Sequence, residues 1–194
     1  MKKQRSFQEY RAIDLAIFAV MLALFEFVII KASTGMYADQ LYTVSLAAAM
    51  TSIVYMRWGF WGGIHAALAG FVYCTFLNGT GEQYLIYIFG NLFSLAAVPL
   101  LRKVGYERVR EGKFLSLMFP ALVWFLMQIG RSVISVALGV DPSTAIVFFA
   151  TDSLSLLFTL VIIWIVRRLD GVYENQRHYL LRIHEENEKE NPEE

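Results

Sequence analysis

The sequence predicts an all-α integral membrane protein, with six transmembrane helices and both termini on the cytoplasmic side. Three observations predict it. Apolar residues make up 57% of the 194-residue chain and fall into runs of membrane-spanning length. Charged residues, 18% of the total, crowd the two ends and one middle loop. Basic residues gather in alternate loops, as the positive-inside rule requires.

A helix needs about 20 apolar residues to cross the hydrocarbon core. The runs are 12–31, 42–57, 60–77, 83–101, 114–138 and 146–167. The basic stretch 1–11 precedes a first run too long for a signal-peptide core. Only Trp58 and Gly59 separate the second and third runs, which predicts a tight helical hairpin. Asp141-Pro142-Ser143 is a turn and helix-start signal ahead of the sixth. Lys2, Lys3, Arg5 and Arg11 precede the first run, and Arg57 follows the second. Arg102, Lys103, Arg108, Arg110 and Lys113 fill the loop between the fourth and fifth. Arg167, Arg168, Arg177 and Arg182 follow the sixth, whereas the opposite loops hold only Lys31, Asp39, Glu82 and Asp141. Residues 1–170 form one membrane domain, and 171–194 a polar cytoplasmic tail. In that tail Tyr179, Leu180, Leu181 and Ile183 suit an interfacial helix, and the acidic stretch from His184 reads as disordered.

Lys plus Arg and Asp plus Glu balance at 17 each, so net charge names no partner and gives no sign of nucleic acid. The lone Cys74 excludes an internal disulfide and suggests no metal cluster. The chain carries no Walker phosphate loop, HExxH or GxSxG motif, and Gly79-Thr80-Gly81 reads as a turn. It is expected to be neither an enzyme nor a cofactor protein.

The chemistry lies inside the apolar runs. Arg131 sits between Phe114 and Gly139, where a charge costs several kcal/mol unless something polar answers it. Three polar stripes recur at helical spacing: Tyr84, Tyr87, Asn91 and Ser94; Gln128, Arg131 and Ser135; Asp152, Ser155 and Thr159. Facing inward, they converge with Glu26 on a cavity in the outer half of the membrane. The candidate substrate-binding residues are Arg131, Asp152, Asn91, Gln128, Glu26, Tyr84 and Tyr87. An internal ion pair of Arg131 with Asp152 or Glu26 is the structural alternative. Tyr42, Tyr84 and Tyr87 also suit an interfacial aromatic belt. His65, beside Gly62, Gly63, Ala66 and Ala69, reads as a helix–helix hydrogen-bonding group. Ala12, Ala16, Ala19 and Ala23 form a stripe of small side chains on the first helix, suited to close approach by another helix within the bundle or from a partner.

With these features the chain resembles the substrate-binding S component of energy-coupling factor transporters. The likeness rests on the six-helix, both-ends-inside plan, on the pairs Ala12/Ala16 and Ala19/Ala23, and on Arg57-Trp58-Gly59-Phe60-Trp61-Gly62-Gly63. The resemblance implies a protein of the prokaryotic cell membrane that captures a vitamin-like solute at the outer face. It implies docking by the first-helix alanines on a transmembrane T subunit, itself coupled to two cytoplasmic ATPases. It supplies no ligand residues, so the site above comes from the stripes alone. Arg131 suits a carboxylate or phosphate, Glu26 or Asp152 an amine, and Tyr84, Tyr87 or Trp124 a ring. A membrane scaffold like the rod-shape proteins is the alternative, and would need no closed outer cavity.

Overall fold

A computed structural model describes residues 6–36 and 43–190. The expectations for Lys2, Lys3, Arg5, Asp39, Tyr42 and the last four residues lie outside that range. Every described element is helical. They are α1 (Phe7–Met36), α2 (Ala47–Trp58), α3 (Gly62–Phe76), α4 (Gly81–Leu92), α5 (Ala97–Val104), α6 (Tyr106–Glu111), α7 (Leu115–Ala137), α8 (Pro142–Ala145), α9 (Val147–Thr151), α10 (Ser153–Val166) and α11 (Gln176–Glu190). Single 3₁₀ turns at Gly59–Trp61 and Phe93–Ala96 join α2 to α3 and α4 to α5.

Four helical stretches are long and apolar enough to cross a membrane: Phe7–Gly35, Gly81–Val104, Leu115–Ala137 and Pro142–Val166. Their outward faces remain apolar and exposed, as at Val20, Leu24 and Val28 on α1 or Leu157, Val161 and Ile165 on α10. The α2–α3 hairpin is shorter than the sequence predicts. Its helices have 12 and 15 residues, about 18 and 22 Å at 1.5 Å per residue. Every residue of α2 is buried, so this helix is the core around which α1, α3, α7 and α10 pack. Ala47, Ala48 and Ala49 let neighbours approach it, and Gly59 ends it with φ +58°, a left-handed conformation that glycine adopts without strain.

The backbones of α4 and α7 approach closely. A Cβ on Gly130 would lie 2.1 Å from the Gly90 carbonyl oxygen, and one on Gly90 would lie 2.6 Å from the Arg131 nitrogen. Bare glycine on both helices sets this crossing and places Asn91 beside Arg131. Lower in α7, Pro120 has no N–H for the Ser116 carbonyl one turn back. The Tyr173 hydroxyl donates to that carbonyl instead, at 3.5 Å.

The tail is not a loose appendage. Tyr173 and Gln176 are fully buried, and Tyr10 donates to Gln176 at 3.0 Å, so the described N- and C-terminal segments meet at one end of the bundle. The stretch expected to be disordered from His184 is helical through Glu190. Asn175 starts that helix by accepting the N–H groups of Arg177 and His178, and its Glu and Lys residues are good helix formers.

Gly130→Val should lower stability by about 3 kcal/mol, because neither backbone can yield to the added carbons. Gly81→Ala, where a Cβ meets nothing within 4 Å, should be close to neutral. Thermal unfolding of the detergent-purified variants checks the pair; equal melting temperatures would remove the glycine crossing as a determinant.

Candidate functional site

Arg131 on α7 and Asp152 at the α9–α10 junction form an ion pair at 3.0 Å, their side chains 5% and 6% exposed. Arg131 Nε donates to Asn91 Oδ1 at 2.9 Å and Nη1 to Gln128 Oε1 at 3.3 Å. Its guanidinium lies over the Tyr87 ring, 4.6 Å from the centroid, and Tyr87 in turn stacks on Tyr73. Asp152 Oδ2 also accepts from Gln128 Nε2 and, at 3.2 Å, from Trp124 Nε1. Its Oδ1 accepts from Ser155 and from Thr43. Asp152 is therefore saturated, whereas Arg131 Nη2 meets no acceptor among the described residues.

Helix geometry explains why these groups meet. The span Pro142–Val166 is interrupted at Thr151–Asp152. The carbonyls loosened there accept from outside the helix, Thr151 from the Thr43 N–H at 2.8 Å and Asp152 from Trp124 Nε1 at 3.2 Å. Irregular backbone at membrane depth survives only where protein satisfies it in this way.

The same layer contains the beginning of α2. Glu26 is fully buried, and its Oε1 accepts from Ser45 Oγ at 2.6 Å and the Leu46 N–H at 2.8 Å. It caps the positive end of α2 from another helix. Ser45 N–H donates to Ser155 Oγ at 2.9 Å, so Glu26 and Asp152 join one network through Ser45 and Ser155. Glu26 Oε2 is buried without a partner among the described residues. Arg131 is six residues from the end of α7, and Asn91, Glu26 and Asp152 are each ten residues from the matching end of their spans. At 1.5 Å per residue this puts the network roughly 9–15 Å below that end of the bundle.

Arg131, Asp152, Asn91, Gln128, Glu26 and Tyr87 thus come together. Tyr84 does not: its hydroxyl donates to Thr75 at 3.0 Å at the exposed end of α3. Trp124 enters as a hydrogen-bond donor to Asp152. His65 Nε2 bridges to the Leu15 carbonyl at 3.0 Å, linking α3 to α1. Ala12 and Ala16 are exposed, and Ala19 and Ala23 half-buried. At the edge of this end, Ser143 donates to Asp141 through its N–H and hydroxyl, which holds that carboxyl below the usual carboxylate range.

A second buried cluster was missed in the sequence. Arg57 grips Asp14 with two hydrogen bonds, at 2.8 and 2.6 Å, and donates to the carbonyls of Gly171 and Val172. Trp58 Nε1 also donates to Asp14, at 2.5 Å. The available signal was an acid two residues inside the first apolar run, opposite an arginine at the hairpin.

No family model, no characterised protein and no solved structure matches this chain.

Arg131→Met and Asp152→Leu should each destabilise by about 3–5 kcal/mol, because each strands a buried charge. The pair Arg131→Met with Asp152→Leu should recover most of that loss. A double-mutant cycle from unfolding curves checks it; a double variant as unstable as the summed single variants would mean the groups are uncoupled.

Proposed function

We propose that this chain is a solute-binding integral membrane protein of a prokaryotic cell membrane, with six membrane helices and both termini cytoplasmic. On this reading it captures a small polar, zwitterionic, vitamin-like solute in the outer half of the bundle. It delivers the solute with a T subunit and two ATPases, as the resemblance to S components implies, and is itself no enzyme. One observation carries the reading: a buried ionic network assembled around an interrupted helix, with a guanidinium over an aromatic ring and one of its amino groups meeting no acceptor among the described residues. Membrane transporters commonly build solute sites at such interruptions, and ionisable groups at this depth mark function more often than packing. Exposed Ala12 and Ala16 support a docking seam. The alternation of basic loops supports the sidedness, and the meeting of the described N- and C-terminal segments at one end of the bundle supports an even number of crossings.

The saturation of Asp152 favours a second reading, a scaffold whose network only fixes helix packing. Ligand binding separates the two. A thermal-shift screen of small amino-acid-like and aromatic zwitterions should find a stabilising solute, and the charge-neutral pair Arg131→Met with Asp152→Leu should abolish its effect while staying folded. A folded wild type that answers no solute in the screen favours the scaffold. Binding alone cannot concentrate a solute, because release must be driven by a difference in affinity between states. The purified chain in liposomes should therefore bind without accumulating.

Ala16→Trp should abolish co-purification of a helical membrane partner and leave solute binding unchanged, since close helix approach needs small side chains at the seam. An unchanged complex would remove this surface from the reading.

A further inference from the structure

The end of the bundle that carries Arg57 holds two adjacent cavities, which share Tyr106 and Asn175 in their walls. Their electrostatics differ. In the first, Glu174 pairs with Arg110 at 2.7 Å and with Arg182 at 3.2 Å, and Glu107 and Glu111 line it as well, so acids and arginines are mixed along its wall. The second, of about 350 Å³, is lined by Arg11, Arg57, Arg102 and Arg177, and no acidic residue among the described residues lines it. The four arginines come from four separate helices, α1, α2, α5 and α11. Only Arg57 is neutralised, by Asp14, which does not line the cavity. Arg11, Arg102 and Arg177 form no ion pair with any described residue.

Two of the three uncompensated guanidiniums are pre-positioned. Arg11 lies 4.4 Å from the centroid of the Trp61 ring and Arg102 4.5 Å from that of Phe60. Both rings are almost half exposed, on the turn that joins α2 to α3. Stacking on a ring fixes the plane of an arginine fork while leaving its N–H groups available. Folding concentrates three like charges around one concavity, which is unfavourable without a counter-ion.

We propose that this cavity is a binding site for a phosphate group, presented by an anionic phospholipid at the membrane boundary or by a soluble phosphate compound. A phosphate dianion answers several guanidiniums at once through bidentate contacts, and a single carboxylate answers fewer. Exposed Phe60, Trp61 and Phe7 on the rim belong at a membrane–water interface, where headgroup phosphates lie. The site is separate from the Arg131 network and stands whether or not the chain binds a solute there.

Two arms test it on the purified full chain. In detergent, inorganic pyrophosphate is titrated and followed by calorimetry. In phosphatidylcholine nanodiscs with a minor fraction of phosphatidic acid, bound lipid is counted by native mass spectrometry. At least one arm should show saturable binding. The exposed pair Arg102→Gln with Arg177→Gln should weaken it about tenfold or more, and Lys103→Gln with Lys113→Gln, the same charge removed outside the cavity, should leave it nearly unchanged. Binding in the pyrophosphate arm assigns a soluble ligand; binding in the lipid arm alone assigns a headgroup. Arg177→Gln alone, on an exposed residue with no described ion-pair partner, gives the comparison should the pair fail to fold. No binding in either arm, or equal loss from the arginine and lysine pairs, overturns the site.

Discussion

The Asp152 carboxylate is the fixed point of this bundle. Its two oxygens collect donors from Arg131, Gln128, Trp124, Ser155 and Thr43, and these come from α7, α10 and the segment leading into α2. A charge at this depth is tolerated only with several such contacts. Helices that must deliver them have little freedom to slide or rotate. The glycine crossing of α4 and α7 follows from the same demand, since Asn91 reaches Arg131 only where the two backbones nearly touch. The interruption at Thr151–Asp152 follows as well, because its loosened carbonyls need the very donors that the network supplies.

α2 shows how the network shapes the fold around it. Glu26 and Ser45 satisfy its first turn deep in the bundle, so it begins well below the corresponding end of the neighbouring helices. A helix buried on every side carries no lipid-facing stripe, which is why residues of quite different polarity, Thr51, Ser52 and Arg57, sit along it at the same burial as Ile53 and Val54.

The helical class, the positions of four of the six apolar stretches and the meeting of Arg131 with Asp152, Asn91 and Gln128 were legible in the sequence. Long apolar runs and polar residues spaced by three or four are local patterns, and helix geometry alone turns them into faces. The length of α2 was not legible. Its run, 42–57, has the composition of a crossing helix, and what shortens it is a carboxyl from a different helix, a contact with no local signature. Tyr84 shares a face with Tyr87 by spacing, yet Thr75 holds it at the rim. Asp14 went unread because a charge near the end of a run looks like a boundary, and its partner was read as a sidedness signal. The likeness to S components stays a likeness: it rests on short motifs and a helix count, and neither encodes the residues that would grip a solute.

The clasp around Arg57 has a consequence for how the protein is made. Its guanidinium leaves the ribosome 114 and 115 residues ahead of the Gly171 and Val172 carbonyls that complete its shell. Until those residues emerge, the hairpin end of the bundle lacks the two carbonyls that complete the shell of this cation. Closure of that end waits until the chain beyond α10 turns back across α1 and α2. The nascent protein can insert its helices in order, but the Arg57 shell closes only after residues 171 and 172 have emerged.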